Sequence, residues 1–142
     1  MDAAALREAL EGAPLPDRSG ESKVFEYAHT ILKLIDNVDN PVFALEAIRS
    51  VEMVEKAQLP TYCYQDVFTS DYRAEVPWHV ARMCLESLAR LYTRFRYDTY
   101  APILRSELNA LYTRRFVNFE QGGMEPVRKV ERLLGFRLEK EG

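Results

Sequence analysis

The chain has 142 residues, 47% of them apolar and 29% charged, with a formal net charge of −3. A single domain of that length buries roughly 70% of the surface its unfolded chain exposes and needs no staple to fold, and no apolar run approaches the roughly 20 residues that cross a bilayer. Two cysteines, Cys63 and Cys84, do not indicate a disulfide framework; with an N-terminus that lacks the basic start and apolar core of a secretory signal, they predict a cytoplasmic or otherwise reducing compartment and no secretion.

Residues 2–11 read as a short amphipathic helix that ends at Gly12, Pro14 and Pro16, a breaker cluster. A second helix follows from near Ser19, with Val24, Phe25, Ala28, Ile31, Leu32, Ile35 and Val38 on one stripe of 3.6-residue period. It stops at Asp39-Asn40-Pro41, where Asn40 can accept bonds from the open amides of a third helix and Pro41 presets its first φ. That third helix is expected to run to about Gln58. Its apolar set (Phe43, Ala44, Ala47, Ile48, Val51, Val54, Ala57) covers an arc wide enough for more than one neighbour and predicts a place near the bundle centre.

Residues 60–77 carry a proline at each end, with Tyr62, Tyr64, Phe68 and Tyr72 between, and predict a long connection. A fourth helix is predicted from about Pro77 to Arg96, its stripe made by Val80, Ala81, Cys84, Leu85, Leu88, Leu91, Tyr92 and Phe95. Asp98 or Thr99 then caps a fifth, which carries Ala101, Leu104, Leu108, Leu111, Tyr112 and Phe119 inward and ends at Gly122-Gly123. A last helix covers residues 124–134, with Gly135 as a left-handed cap and Phe136 as its hydrophobic contact. The heptapeptide Leu-x-x-Leu-Tyr-Thr-Arg occurs at Leu88 and again at Leu108. Its leucines and tyrosines sit mid-stripe in both helices, so one packing rule used twice explains it, with no duplicated module.

Charge is unevenly placed. Residues 1–77 hold seven basic and fourteen acidic side chains, whereas residues 78–116 hold seven arginines, no lysine, and only Glu86, Asp98 and Glu107 in opposition. Arginine interleaved with aromatic residues can grip phosphate and stack bases, but it is also what protein interfaces enrich, and the acidic whole favours a protein over a nucleic-acid partner. The arginines can equally pair with the carboxylates of residues 1–77.

Two short motifs carry chemistry. Glu26-Tyr-Ala-His29 resembles half of a ferritin-like di-iron site, but Glu26 points away from its helix's apolar stripe and the only other histidine, His79, lacks the spacing, so no metal and no cofactor is expected. Arg73 and His79, with Ala-Glu-Val-Pro-Trp between them, are similar to the Arg-x(4–6)-His motif of the HEPN ribonucleases, small all-α proteins that often dimerise. That resemblance implies Arg73 on a phosphate and His79 in proton transfer. It departs from the family at Ala74, where a polar residue is common.

These readings give an all-α, single-domain bundle of about five main helices with a short N-terminal helix: residues 1–18 form that helix and its linker, residues 19–142 the bundle. The expected role is a non-catalytic accessory or interaction subunit. It is expected to meet a protein partner or larger assembly through the Arg-rich hairpin of residues 78–116, chiefly Arg90, Arg94 and Arg114, joined by Tyr62, Tyr64 and Tyr72. A homo-oligomer fits the same features. The alternative is a HEPN-like ribonuclease or RNA-binding protein that uses Arg73 and His79.

Overall fold

The structure, a computed structural model, describes residues 2–12, 21–65 and 70–141, and their side chains except at 3, 21–23, 58–65 and 70–75. Among the described residues every regular element is helical: α1 (Ala3–Gly12), α2 (Glu21–Leu34) with a 3-10 turn at Ile35–Asn37, α3 (Pro41–Gln65), α4 (Ser70–Arg94), α5 (Ala101–Gly122) and α6 (Glu125–Leu134). The all-α bundle with a short first helix is therefore what the chain forms. Leu6 of α1 is buried, and α1 packs against α3.

The central helix is α4, which packs against α2, α3, α5, α6 and the 3-10 turn. Its buried positions, from Val76 and Val80 through Ser87, Ala89 and Tyr92, sweep an arc of about 220° at ~100° per residue. The apolar stripe expected from the sequence is narrower because it omits Val76, Ser87 and Ala89, all of them buried. The third helix also touches several neighbours, α1, α2, α4, α5 and the 3-10 turn, as its wide apolar arc requires. Outside the arc, Met53 of α3 is 71% exposed.

Two boundaries differ from the sequence expectation. Helix α3 continues past Gln58 to Gln65, and α4 starts at Ser70, so the long connection of residues 60–77 reduces to 66–69, outside the described residues. Proline does not act as a breaker here: Pro77 lies inside α4, buried, where it removes one backbone donor while the turns on either side continue. The start of α5 differs too. Tyr100 is its N-cap residue with no side-chain cap bond, and the Ala101 amide reaches the Asp98 backbone carbonyl at 3.1 Å, so neither Asp98 nor Thr99 caps with its side chain.

Other ends follow the sequence. Asn40 Oδ1 accepts from the Val42 amide at 3.0 Å, and its Nδ2 donates to the Tyr100 hydroxyl at 3.3 Å, tying the start of α3 to the α4–α5 loop. Asn40→Ala is expected to cost about 1 kcal/mol of stability, measured by urea unfolding, and Asn40→Asp, which keeps the cap but not the donor, less than that. Gly135, at φ 83°, closes α6 by donating its amide to the Glu131 carbonyl. The chain then runs extended as a strap over α5 and α6. The amides of Leu138, Glu139 and Glu141 donate to Glu131 Oε2, Asn109 Oδ1 and Thr113 Oγ1, each at 2.9 Å, and Leu138 is buried.

Candidate functional site

The seven arginines of residues 78–116 do not form one face. The fold distributes them among three neighbourhoods with different chemistry.

The first lies between α3 and α5. Leu104, Leu108, Leu111 and Phe119 define the buried stripe of α5, and Arg115 falls within it; on α3, Glu55 falls within the stripe of Ala44, Ile48 and Val51. The helices thus bring together opposite charges that are 9% and 1% exposed. Arg115 forks onto Glu55, Nη1 to Oε1 at 3.0 Å and Nη2 to Oε2, while its Nε donates to Glu52 Oε1 at 3.1 Å. Glu52 Oε2 also accepts from Arg114 Nη2 at 2.9 Å. Burial pushes the Glu55 carboxyl above the usual carboxylate range against the pull of Arg115. Burial opposes the charge on Arg115, but the bonds and charges of Glu55 and Glu52 more than offset it and raise its pKa. With Arg49, Met53 and Lys56 these side chains line a groove of about 610 Å³.

The second lies on α4 between α2 and α6. Arg90, half exposed at 52%, stands 3.7 Å from Asp36 and donates to Ser87 Oγ at 3.1 Å, while Arg94 donates to the Asp36 carbonyl at 3.0 Å. Arg82 pairs with Glu86 at 3.2 Å, and Lys129 of α6 approaches the same carboxylate at 3.9 Å. Two grooves flank α4 here and share Glu86 and Arg90: one of about 360 Å³ towards Leu32 and Lys33, the other of about 340 Å³ towards Lys129, Val130 and Leu133. Leu133 is 51% exposed. The third neighbourhood surrounds the end of α6, where Arg96 and Arg105 meet the arginines of residues 128–137.

Of the predicted contact residues, the structure brings Arg90 and Arg94 together and places Arg114 elsewhere, against Glu52. Tyr62, Tyr64, Tyr72 and Arg73 lie outside the described side chains. His79 is half-buried, its ring 4.8 Å from Trp78 and 5.9 Å from Phe25, both edge-on. Glu26 and His29 are both exposed, and among the described residues no three His, Cys, Asp or Glu side chains gather as a metal site. Cys84 is buried and free, its thiol pushed up to about 12, chiefly by burial, which keeps it protonated and a poor nucleophile. No described helix is long and apolar enough to cross a membrane.

Sequence reasoning missed Glu55 and the bond it makes. The signal was present: a lone carboxylate on the apolar stripe of one helix and a lone guanidinium on the stripe of another are each costly to bury, and only pairing offsets the cost. No family model matches the chain, and neither does any curated protein or solved structure.

Proposed function

We propose that the chain is a non-catalytic interaction subunit that binds an acidic protein partner across α2, α4 and α6, with Arg90 and Arg94 as cationic contacts. One observation carries this reading: the groove between α4 and α6 sets a half-exposed leucine, Leu133, beside Arg90 and Lys129, and the adjoining groove towards α2, which shares Arg90, adds Lys33. Interface centres combine apolar anchors with arginine, and a cationic rim selects an acidic partner and speeds encounter. The exposed ion pair of Arg90 with Asp36 and the exposed bond from Arg94 to the Asp36 carbonyl do not oppose this, because such surface contacts contribute only about 0–1 kcal/mol and exchange readily.

The test compares the wild-type chain with the Arg90→Glu, Arg94→Glu double variant as baits in affinity purification from the native source. A specific acidic protein should be recovered with the first and reduced about tenfold or more with the second, while the circular dichroism of the two stays alike. Leu133→Asp should reduce recovery equally by removing the apolar anchor. Undiminished recovery with both variants would rule out this face.

A further inference from the structure

The most strongly cationic site without apolar anchors is the end of α6. Gly135, at φ 83°, turns the chain there in the left-handed region. Arg96 reaches in from the α4–α5 loop and donates to the Leu134 carbonyl at 2.9 Å. Arg105 of α5 lies over the Phe136 ring at 3.9 Å, and Tyr92 meets the same ring edge-on at 5.5 Å. Arg128 and Arg132, one turn apart on α6, join Arg137 and Phe136 around a solvent-open groove of about 460 Å³.

Among the described residues, three guanidinium groups and one carboxylate, Glu131, line the groove, and Arg96 and Arg105 stand beside it against Leu134 and Phe136. Glu131 is already committed to Arg128 at 3.3 Å and to the Leu138 amide at 2.9 Å; Glu125 reaches Arg132 at 3.5 Å, and both members of that pair are well exposed. Among the described residues, neither Arg105 nor Arg137 has a carboxylate partner. Among the described side chains, the only apolar one lining the groove is Phe136, whose ring is already in contact with Arg105 and Tyr92. A protein interface would lack an anchor here. Planar guanidinium donors instead match phosphate oxygens two at a time, and a stacked guanidinium uses its face while its N–H donors remain in plane.

We propose that this arginine cluster at the end of α6 is a docking site for the phosphodiester backbone of a nucleic acid. The groove is open, so one small phosphate would stay hydrated and gain little, whereas a strand presents successive phosphates to Arg128, Arg132 and Arg137 and releases counterions at each of them. The chain's net charge of −3 does not prevent this, because charges beyond about 10 Å are screened at ~0.1 M salt. The inference is independent of the α2–α4–α6 face.

Fluorescence anisotropy with a labelled single-stranded oligonucleotide tests it. Binding should weaken steeply with added salt. Arg132→Gln with Arg137→Gln should lower affinity at least about tenfold at low salt and reduce the log–log salt slope by roughly 0.7 for each phosphate that is no longer neutralised. The Arg90→Glu, Arg94→Glu variant should bind the oligonucleotide much as the wild type does, which separates this site from the protein-binding face. Absence of binding at low salt, or unchanged binding after Arg132→Gln and Arg137→Gln, overturns the proposal. So does equal affinity for polyglutamate, which would make the site a general anion trap, or capture of inorganic polyphosphate with no capture of the oligonucleotide.

Discussion

Arg115→Met is expected to destabilise the chain by about 3–5 kcal/mol, the largest effect of any exchange outside the apolar core. At this size that is roughly 10–15 °C in Tm. The substitution leaves Glu55, 1% exposed, with no fork of donors, so its charge stays buried and uncompensated. Adding Glu55→Leu should restore most of the stability, because an apolar pair of similar volume is often as stable as the ion pair it replaces. Urea unfolding of the single and double variants measures both; a single variant destabilised by less than about 1 kcal/mol would mean that water already reaches Glu55.

The pH dependence of that variant has a definite sign. Burial already raises the Glu55 pKa in the folded chain, and Arg115 acts to lower it, so removing Arg115 raises it further. Between the ordinary carboxylate value and the raised one, the folded state holds a proton that the unfolded state has released, and stability therefore falls as pH rises through this window. Arg115→Met should accordingly cost less in mild acid than at neutral pH.

Gly122→Ala is the second large effect, expected at about 2–3 kcal/mol. A Cβ on Gly122 would overlap Trp78 Cδ1 and Cγ and stand 2.9 Å from Trp78 Cβ. These atoms are the root of the side chain, so relief requires the whole ring to move. That movement breaks the bond from Trp78 Nε1 to the Gly123 carbonyl, now 2.9 Å, and adds the cost of the broken bond to the overpacking strain of about 1–3 kcal/mol. Thermal unfolding and Trp78 fluorescence read the two consequences together. An unchanged Tm with unchanged emission would show that α4 and the end of α5 do not approach this closely.

Both predictions concern features that the sequence displayed only in part. Glycine at 122 and 123 marked the end of α5, which is a local rule, but the approach of Trp78 is tertiary and joins residues more than forty positions apart. Helix identity and inward faces were legible because a 3.6-residue period needs only neighbours in the chain: Leu88, Leu91, Leu108 and Leu111 are all buried as their spacing required. Helix ends near proline were not, since Pro77 can sit inside a helix once neighbouring helices hold its turns. The arginines of residues 78–116 formed one block by composition; which neighbour each one meets depends on how α3, α2 and α6 lie against the hairpin, and periodicity carries no information about that.

The strap after Gly135 ties α6 back to α5, two helices otherwise joined by the short turn at Gly123 and Met124. Three nearby amides, those of Leu138, Glu139 and Glu141, draw their acceptors from α6 in one case and from α5 in two. Each proton is shielded from deuterium only while its own helix stays docked, and release of the segment from either helix loosens its hold on the other. These three amides therefore exchange as a cooperative unit with the two helices that hold them.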